Sequence, residues 1–393
     1  MISSLLSPQG IALLEAIGDY DTANVFSLTQ RLRSEGYAPE LVSAALTQAR
    51  LRAAATAKFG PFAQSMLFTP DGLEQSTRLR VSAHHAKRFR DVGMRSVLDV
   101  GCGIGGDSLA FSGLGMDVIA IDISPDAAAA AAFNLAPFPN AKVYRADAFS
   151  LNLCSFNTNA VWLDPARRAN GKRLTRPDHW MPPLSTAISI ARMFRAAGIK
   201  VAPGINYQHL PQNSRVTWIS DGGELVEAVI WLGELAEQPG REALVLSDGV
   251  QIWDPHIGDP THEAPMAPPQ ELGEYLYEPD PAIIRSGSVA SLADHLGLAP
   301  VSHAIAYLTG GKVSSGFLSR FRVLDVLPFD IKAIRQALTQ RDIGRVEIKK
   351  RGTDVVPETL RKKLKLDVKR PGSATIILCP LLGKHRAIVA ERV

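Results

Sequence analysis

Cysteine is scarce in this 393-residue chain: there are three, Cys102, Cys154 and Cys379. They lie far apart, with no pairing of metal-ligand spacing. A disulfide framework and a structural zinc site are excluded on that ground, and no metal is expected. Long apolar runs are also missing; none approaches the roughly 20 residues that a bilayer-spanning helix needs, so no membrane partner is expected. Residues 1–10 lack the basic cluster, apolar stretch and cleavage site of a secretory leader. The expected setting is a reducing cytoplasm. There is no internal repeat and no low-complexity tract. What is present is ordinary for a globular protein, 46% hydrophobic and 21% charged, and the length suggests two or three compact units.

The net charge of +4 is small, but it is unevenly spread. From Lys312 onward there are 19 Lys or Arg against 8 Asp or Glu, a net of +11. Residues 233–281 are acidic, with Arg241 the one basic residue among them. A basic tail can be a solvated surface. It can also be a nucleic-acid footprint, because Lys and Arg neutralise phosphates and release their counterions.

Residues 1–74 read as a small helical unit, from apolar spacing at Ile11, Leu14 and Ile17 and an Ala- and Leu-rich stretch over 39–58. From residue 96 the period changes. Short apolar runs alternate with Ala-rich helical stretches, which signals βαβ units around a parallel sheet. Strands are predicted at 96–100, 117–121, 141–145, 160–163 and 199–202, with helices at 107–113, 125–134 and 184–197. Two further runs, 216–220 and 225–232, flank Asp221-Gly222-Gly223 and predict an antiparallel hairpin. The fold class is therefore α/β, with a seven-stranded sheet over 75–235. Residues 236–285 read as an acidic, Pro-rich linker with short strands. Residues 286–393 form a basic α/β unit, with helices at 289–296, 331–341 and 356–366 and strands at 344–350, 374–379 and 385–392.

Chemistry concentrates where the first strand meets Asp99-Val100-Gly101-Cys102-Gly103-Ile104-Gly105-Gly106-Asp107. Glycines let the backbone approach a ligand closely, and the helix that follows offers free N–H groups. A glycine loop alone is weak evidence. It is sharpened by Asp99, two residues before the first glycine, where a nicotinamide fingerprint keeps an apolar residue. Asp122 closes the next strand, suited to the hydroxyls of a ribose. Asp147 ends the third strand, suited to an adenine amine, and Asp164 ends the fourth. One such aspartate is most simply a turn or cap residue. Four at successive strand ends converge on one crevice of an open parallel sheet.

The set Asp99-Val100-Gly101-Cys102-Gly103, Asp122, Asp147 and Asp164-Pro165-Ala166-Arg167 resembles class I S-adenosylmethionine-dependent methyltransferases over residues 75–235, which implies a Rossmann-like sheet. Gly105-Gly106-Asp107 and the Asp-Pro motif resemble the trimethylguanosine synthase-type RNA enzymes. Asp164 to Arg168, together with Ile348-Lys349-Lys350-Arg351-Gly352, resembles bacterial proteins that join such a domain to a C-terminal THUMP-like, RNA-binding module.

The resemblance implies S-adenosyl-L-methionine as cofactor. It implies that Asp99, Gly101, Cys102, Gly103, Gly105 and Asp107 surround its methionine end. Asp122 and Ile123 would hold the ribose, and Asp147 and Ala148 the adenine. Asp164 and the Pro165 carbonyl would grip an exocyclic amino group of a base in structured RNA, tRNA or rRNA. Arg167, Arg168, Lys349, Lys350 and Arg351 would contact that substrate.

Arg167 departs from the pattern, since amino-methylating enzymes carry a stacking aromatic at its position. A guanidinium can stack on a base or hold a phosphate; it can also be structural, paired with Asp178 or Glu224. His84 and His85 are candidates for a general base, and Thr77 for a residue covering the cofactor. Cys102 needs only its small size to explain it. Two alternatives stand beside an RNA enzyme: a small-molecule or protein methyltransferase with an accessory basic domain, and an inactive RNA-binding protein that keeps the cofactor site.

Overall fold

The computed structural model describes residues 2–18, 24–169, 172–247, 249–256, 258–262 and 265–393. The chain divides into two compact units. One comprises Met1–Val201, Asn213–Arg215 and Val229–Gln238; the other comprises Ala202–Gln212, Val216–Ala228 and Pro239–Val393. No helix among the described residues is long and apolar enough to cross a membrane.

The first unit begins with helices α1 (Ile2–Leu5), α2 (Pro8–Ile17), α3 (Val25–Ser34), α4 (Pro39–Phe59), α5 (Pro70–Gln75) and α6 (Leu79–Asp91). Their starts are written locally. Pro8, Pro39 and Pro70 occupy the first turns, and the Ser7 and Thr69 hydroxyls accept hydrogen bonds from the backbone N–H groups of Gly10 and Gly72. These helices do not form a core of their own. Leu13, Leu41, Phe59, Leu67 and Phe68 share one apolar cluster with Ile104 of the glycine loop and Ala130. Asn134 clamps the two segments polarly, accepting from Leu67 N–H at 2.7 Å and donating to the carbonyls of Leu67 and Ile104 at 3.0 and 2.9 Å.

Next come β1 (Ser96–Val100), α7 (Gly106–Gly113), β2 (Asp117–Asp122), α8 (Pro125–Leu135), β3 (Ala141–Arg145) and β4 (Ala160–Leu163). A short hairpin, β5 (Arg168–Ala169) with β6 (Lys172–Arg173), and α9 (Leu184–Ala191) lead to β7 (Ala196–Val201). After these come β8 (Arg215–Asp221) and β9 (Glu224–Gly233). In this unit the strand order is β9-β7-β4-β1-β2-β3. The pairings β7–β4, β4–β1, β1–β2 and β2–β3 are all parallel. Parallel strands need crossovers, and α7, α8 and α9 supply them.

The second unit holds most of β8 together with β10 (Gly240–Leu246) and β11 (Val250–Trp253), in the order β11-β10-β8. β10 and β11 lie beyond the seven strands expected from sequence. Here the acidic stretch is not only linker, because the Arg241–Leu246 run is buried throughout. A further sheet holds β12 (Tyr275–Pro279), β13 (Ala299–Pro300), β14 (Leu308–Gly310), β15 (Leu318–Pro328), β16 (Ile343–Lys350), β17 (Gly372–Leu381) and β18 (Lys384–Arg392), ordered β13-β14-β12-β15-β18-β17-β16. Helices α10 (Pro281–Arg285), α11 (Val289–Leu296), α12 (Ile331–Gln340) and α13 (Pro357–Leu364) complete it. Alternation along β17 feeds two cores. Ile376 and Leu378 meet Ile334, Leu338 and Leu360 of α12 and α13, whereas Ile377 and Cys379 meet Tyr307 and Phe321.

Two expectations needed correction. The Ala-rich run read as helix to residue 197 ends its helix at Ala191 and becomes β7 from Ala196. Its small residues serve clearance: a Cβ at Gly198 would lie 2.7 Å from the Trp162 ring and 2.8 Å from that of Trp231. β15, the longest strand of the second unit, was missed because alternating charge at Arg320, Arg322 and Asp325 hides its pattern. Gly198→Ala is therefore expected to destabilise the protein by about 2 kcal/mol through overpacking. Urea unfolding checks this, as a lower midpoint at unchanged slope.

Candidate active site

The glycine loop is held in a shape that only glycine adopts easily. Gly101, Gly103 and Gly105 have φ of +78°, +57° and +83°, in the left-handed region. At Gly101 a side chain would also press on the Asp164 carbonyl, 3.1 Å from an ideal Cβ, whereas at Gly103 the corresponding space is open. The loop therefore runs against the end of β4 on one side and leaves a cradle on the other. Asp122 fixes it from β2: its carboxylate accepts from Gly103 N–H and Ser124 N–H, both at 2.8 Å. Burial pushes the Asp122 carboxyl above its ordinary range, against these two bonds.

Asp147 lies beyond β3, exposed, and accepts from Phe149 N–H at 3.0 Å, which starts a short turn of helix. Ala148 within that turn is buried, while Ile123 and Phe149 are exposed apolar side chains, at 67% and 51%. Cys102 is buried and its thiol is pushed up by that burial.

Asp99 and Asp107 are both buried. Asp99 is 1% exposed and accepts from the Ser108 hydroxyl at 2.5 Å. Burial drives its carboxyl far above the carboxylate range; Ser108 opposes the rise, and Asp107, Asp164 and Asp122 add to it. Asp107 is buried too, but accepts from Thr77 Oγ1 at 3.0 Å and lies 2.9 Å from His85 Nδ1. Burial alone would raise its carboxyl; the His85 bond and charge, with the charge of Lys200, outweigh that and hold it below its ordinary range. His85 is itself buried, stacked on Trp162 with ring centroids 4.5 Å apart. His85 and Thr77 thus brace α7 from α6 and the turn before it, neither of them open to a ligand.

Asp164 follows β4 and meets Lys200 of β7, with Nζ 2.8 Å from Oδ2. The Lys200 side chain is 3% exposed and that of Asp164 24%, so part of the carboxylate is reachable while its counterion is not. Burial raises the Asp164 carboxyl, and Lys200 and Arg167 oppose it. Lys200 Nζ also donates to the Gln75 carbonyl at 3.1 Å. Sequence reading missed Lys200. Its signal was a single cation inside an otherwise apolar buried strand.

After Asp164 and the buried Pro165, Ala166 pairs with Met181 in both directions, at 2.8 and 3.0 Å. Trp180 is buried and donates to the Leu174 carbonyl at 3.0 Å. Arg167 is half-buried and opens this loop; Arg168 begins β5. Asp178, one suggested partner of Arg167, lies 3.7 Å from Arg176. In the second unit, Lys349 and Arg351 bond Glu278 at 2.8 and 3.3 Å, and Lys350 is exposed.

A methyltransferase-domain model matches residues 97–165, a THUMP domain-like model matches 318–392, and a model of a domain of unknown function matches 1–55. Two uncharacterized S-adenosylmethionine-dependent methyltransferases of Mycobacterium tuberculosis, from strains CDC 1551 / Oshkosh and ATCC 25618 / H37Rv, are each 33% identical over 357 residues. That match spans 88% of this chain and 94% of theirs. The chain belongs to the S-adenosylmethionine-dependent methyltransferases. The fold of this methyltransferase also resembles a crystal structure of a proposed methyltransferase from Porphyromonas gingivalis W83, with a TM-score of 0.75, 18% identity, and coverage of 95% and 99% of the two chains.

Its cofactor is S-adenosylmethionine, and the site suits that molecule: an open cradle over Gly103, a carboxylate at Asp122 and exposed apolar Ile123.

The two buried acids should behave oppositely. Asp107→Asn is expected to lose about 3 kcal/mol, since it breaks a buried pair; Asp99→Asn should lose less than about 1 kcal/mol, because burial already opposes the charge of Asp99 and the amide oxygen can still accept from Ser108. Because the folded Asp107 pKa is depressed, its contribution is present above the ordinary carboxylate pKa near ~3.9 and fades as pH falls through the folded value. Melting curves taken downward from neutral pH should show a shallower acid-side loss in Asp107→Asn than in the parent.

Proposed function

We propose that this methyltransferase acts on an exocyclic amino group of a base in structured RNA, tRNA or rRNA. The observation that carries the reading is the union, in one chain, of the methyltransferase site with a THUMP domain-like segment at 318–392 inside a region of net charge +11. Residues 1–74 and 75–235 build the cofactor site, 236–285 connect while contributing strands of their own, and 286–393 recruit RNA.

S-adenosylmethionine supplies a methyl group already activated on sulfonium. The backbone of Gly101, Gly103 and Gly105 receives the methionine end, supported by the buried Asp99 and Asp107. Asp122 and Ile123 hold the ribose, and Asp147 and Ala148 flank the adenine. Asp164 and the Pro165 carbonyl accept the two N–H groups of the target amine. An aromatic amine delocalises its lone pair into the ring. Drawing its hydrogens toward two acceptors would free that pair, Asp164 would take the proton the nitrogen must shed and pass it to water, and positioning would supply most of the rate. Arg167 stands where an aromatic stacks in related enzymes and offers its guanidinium plane to the base. Lys200 opposes the burial that raises the Asp164 carboxyl and holds it in place.

The test is incubation with labelled cofactor and total RNA from cells lacking the protein, followed by nucleoside mass spectrometry; an amino-methylated nucleoside is expected. If no nucleoside gains a methyl group, the reading fails in favour of another substrate class or of a cofactor-binding protein without turnover. Asp164→Ala should lower transfer at least about 100-fold, as for loss of a polar group that acts in the transition state, while calorimetry finds cofactor affinity within about threefold. Lys200→Met removes the cation that opposes protonation of Asp164, so that pKa rises and the acid limb of the kcat/KM profile moves to higher pH. Lys200→Arg should leave the limb near its native position.

A further inference from the structure

Lys349 and Arg351 were the expected RNA contacts of the basic tail, but both are engaged with Glu278, and the Arg351 guanidinium lies 5.2 Å from the Tyr307 ring centre. The tail's available charge lies elsewhere. A groove of about 920 Å³ runs along the β16–β17 edge of the sheet and the end of α13. Four exposed cations line it, Arg345, Arg361, Lys365 and Arg392, against two acids, Glu347 and Glu391. Each acid is answered by a cation outside the lining: Glu347 by Lys349 at 3.4 Å, and Glu391 by Arg322 at 2.5 Å. The four lining cations are therefore surplus.

Several of them are also held in place. Arg345 donates to the Pro371 carbonyl at 3.0 Å and Arg361 to that of Val346. Arg392 donates to Ser319 Oγ at 3.4 Å, its guanidinium 5.4 Å from the Phe321 ring centre. None of the lining residues is aromatic. Proteins that read unpaired bases stack them on aromatic side chains. This groove has no such platform. Fixed, spaced cations without a stacking platform suit a run of phosphates, which position a partner without reading its sequence.

We propose that this groove holds the sugar–phosphate backbone of RNA, so that the THUMP-like segment binds by charge and backbone shape rather than by base identity. The proposal rests on the RNA reading above. The full chain is titrated with a fluorescently labelled RNA hairpin and with a second hairpin of scrambled stem sequence, over a series of salt concentrations. Both should bind equally. Arg345→Gln and Lys365→Gln should each weaken binding about 3- to 10-fold and lower the salt slope by about 1, with cofactor affinity unchanged; Arg345→Lys should retain most of the affinity.

Native affinity and slope in the Arg345→Gln/Lys365→Gln double variant would overturn the groove while leaving the RNA reading intact. A strong preference for one hairpin sequence would overturn backbone recognition. No binding of either hairpin even at low salt would remove both readings, and capture of polyglutamate without RNA would reassign the groove to an acidic protein.

Discussion

Four carboxylates crowded at one end of a parallel sheet set the terms for the rest of the site. Burial raises the proton affinity of Asp99, Asp122 and Asp164, and neighbouring acids of the cluster add to it, whereas Asp107 is held low by its partners. Left alone, such a cluster would take up protons or push the strand ends apart. Each acid instead has its own partner: Ser108 for Asp99, His85 and Thr77 for Asp107, two backbone N–H groups for Asp122, and Lys200 for Asp164. The partners come from separate segments of the chain, so the loop's geometry draws on all of them.

That dependence gives the N-terminal helices their purpose. Lys58 of α4 donates to the carbonyls of Leu73, Glu74 and Ser76, fixing the end of α5. The Gln75 carbonyl in the same turn receives Lys200. A polar relay therefore runs from α4 to the counterion of Asp164, parallel to the apolar contact between the same helices and Ile104. In physical terms the helical segment belongs to the cofactor fold: it supplies both the cover for the loop and the acceptor that aims Lys200.

The basic segment shows how a count of charges differs from a surface. Its excess is plain in the sequence, but proximity in the chain does not say which cations are spent. Lys349 and Arg351 are consumed by Glu278, more than 70 residues earlier in the chain and four strands away in the sheet order. Arg345 and Lys365, less conspicuous in sequence, remain exposed.

Local rules made much of the protein legible without coordinates. The glycine loop, the acids near four strand ends, and most helix and strand bounds follow from backbone sterics, period and capping, which act over a few residues. Asp122 and Asp164 could be named because a parallel sheet necessarily brings its strand ends together. Three things were decided only by tertiary structure: Lys200 as the partner of Asp164, the burial of Asp99 and Asp107 with His85, and the start of β7 at Ala196 inside a run that reads as helix. Each depends on a group distant in sequence, a counterion, a histidine or a pair of tryptophan rings. Ion pairing and steric clearance are set by distance in space, which no local pattern encodes.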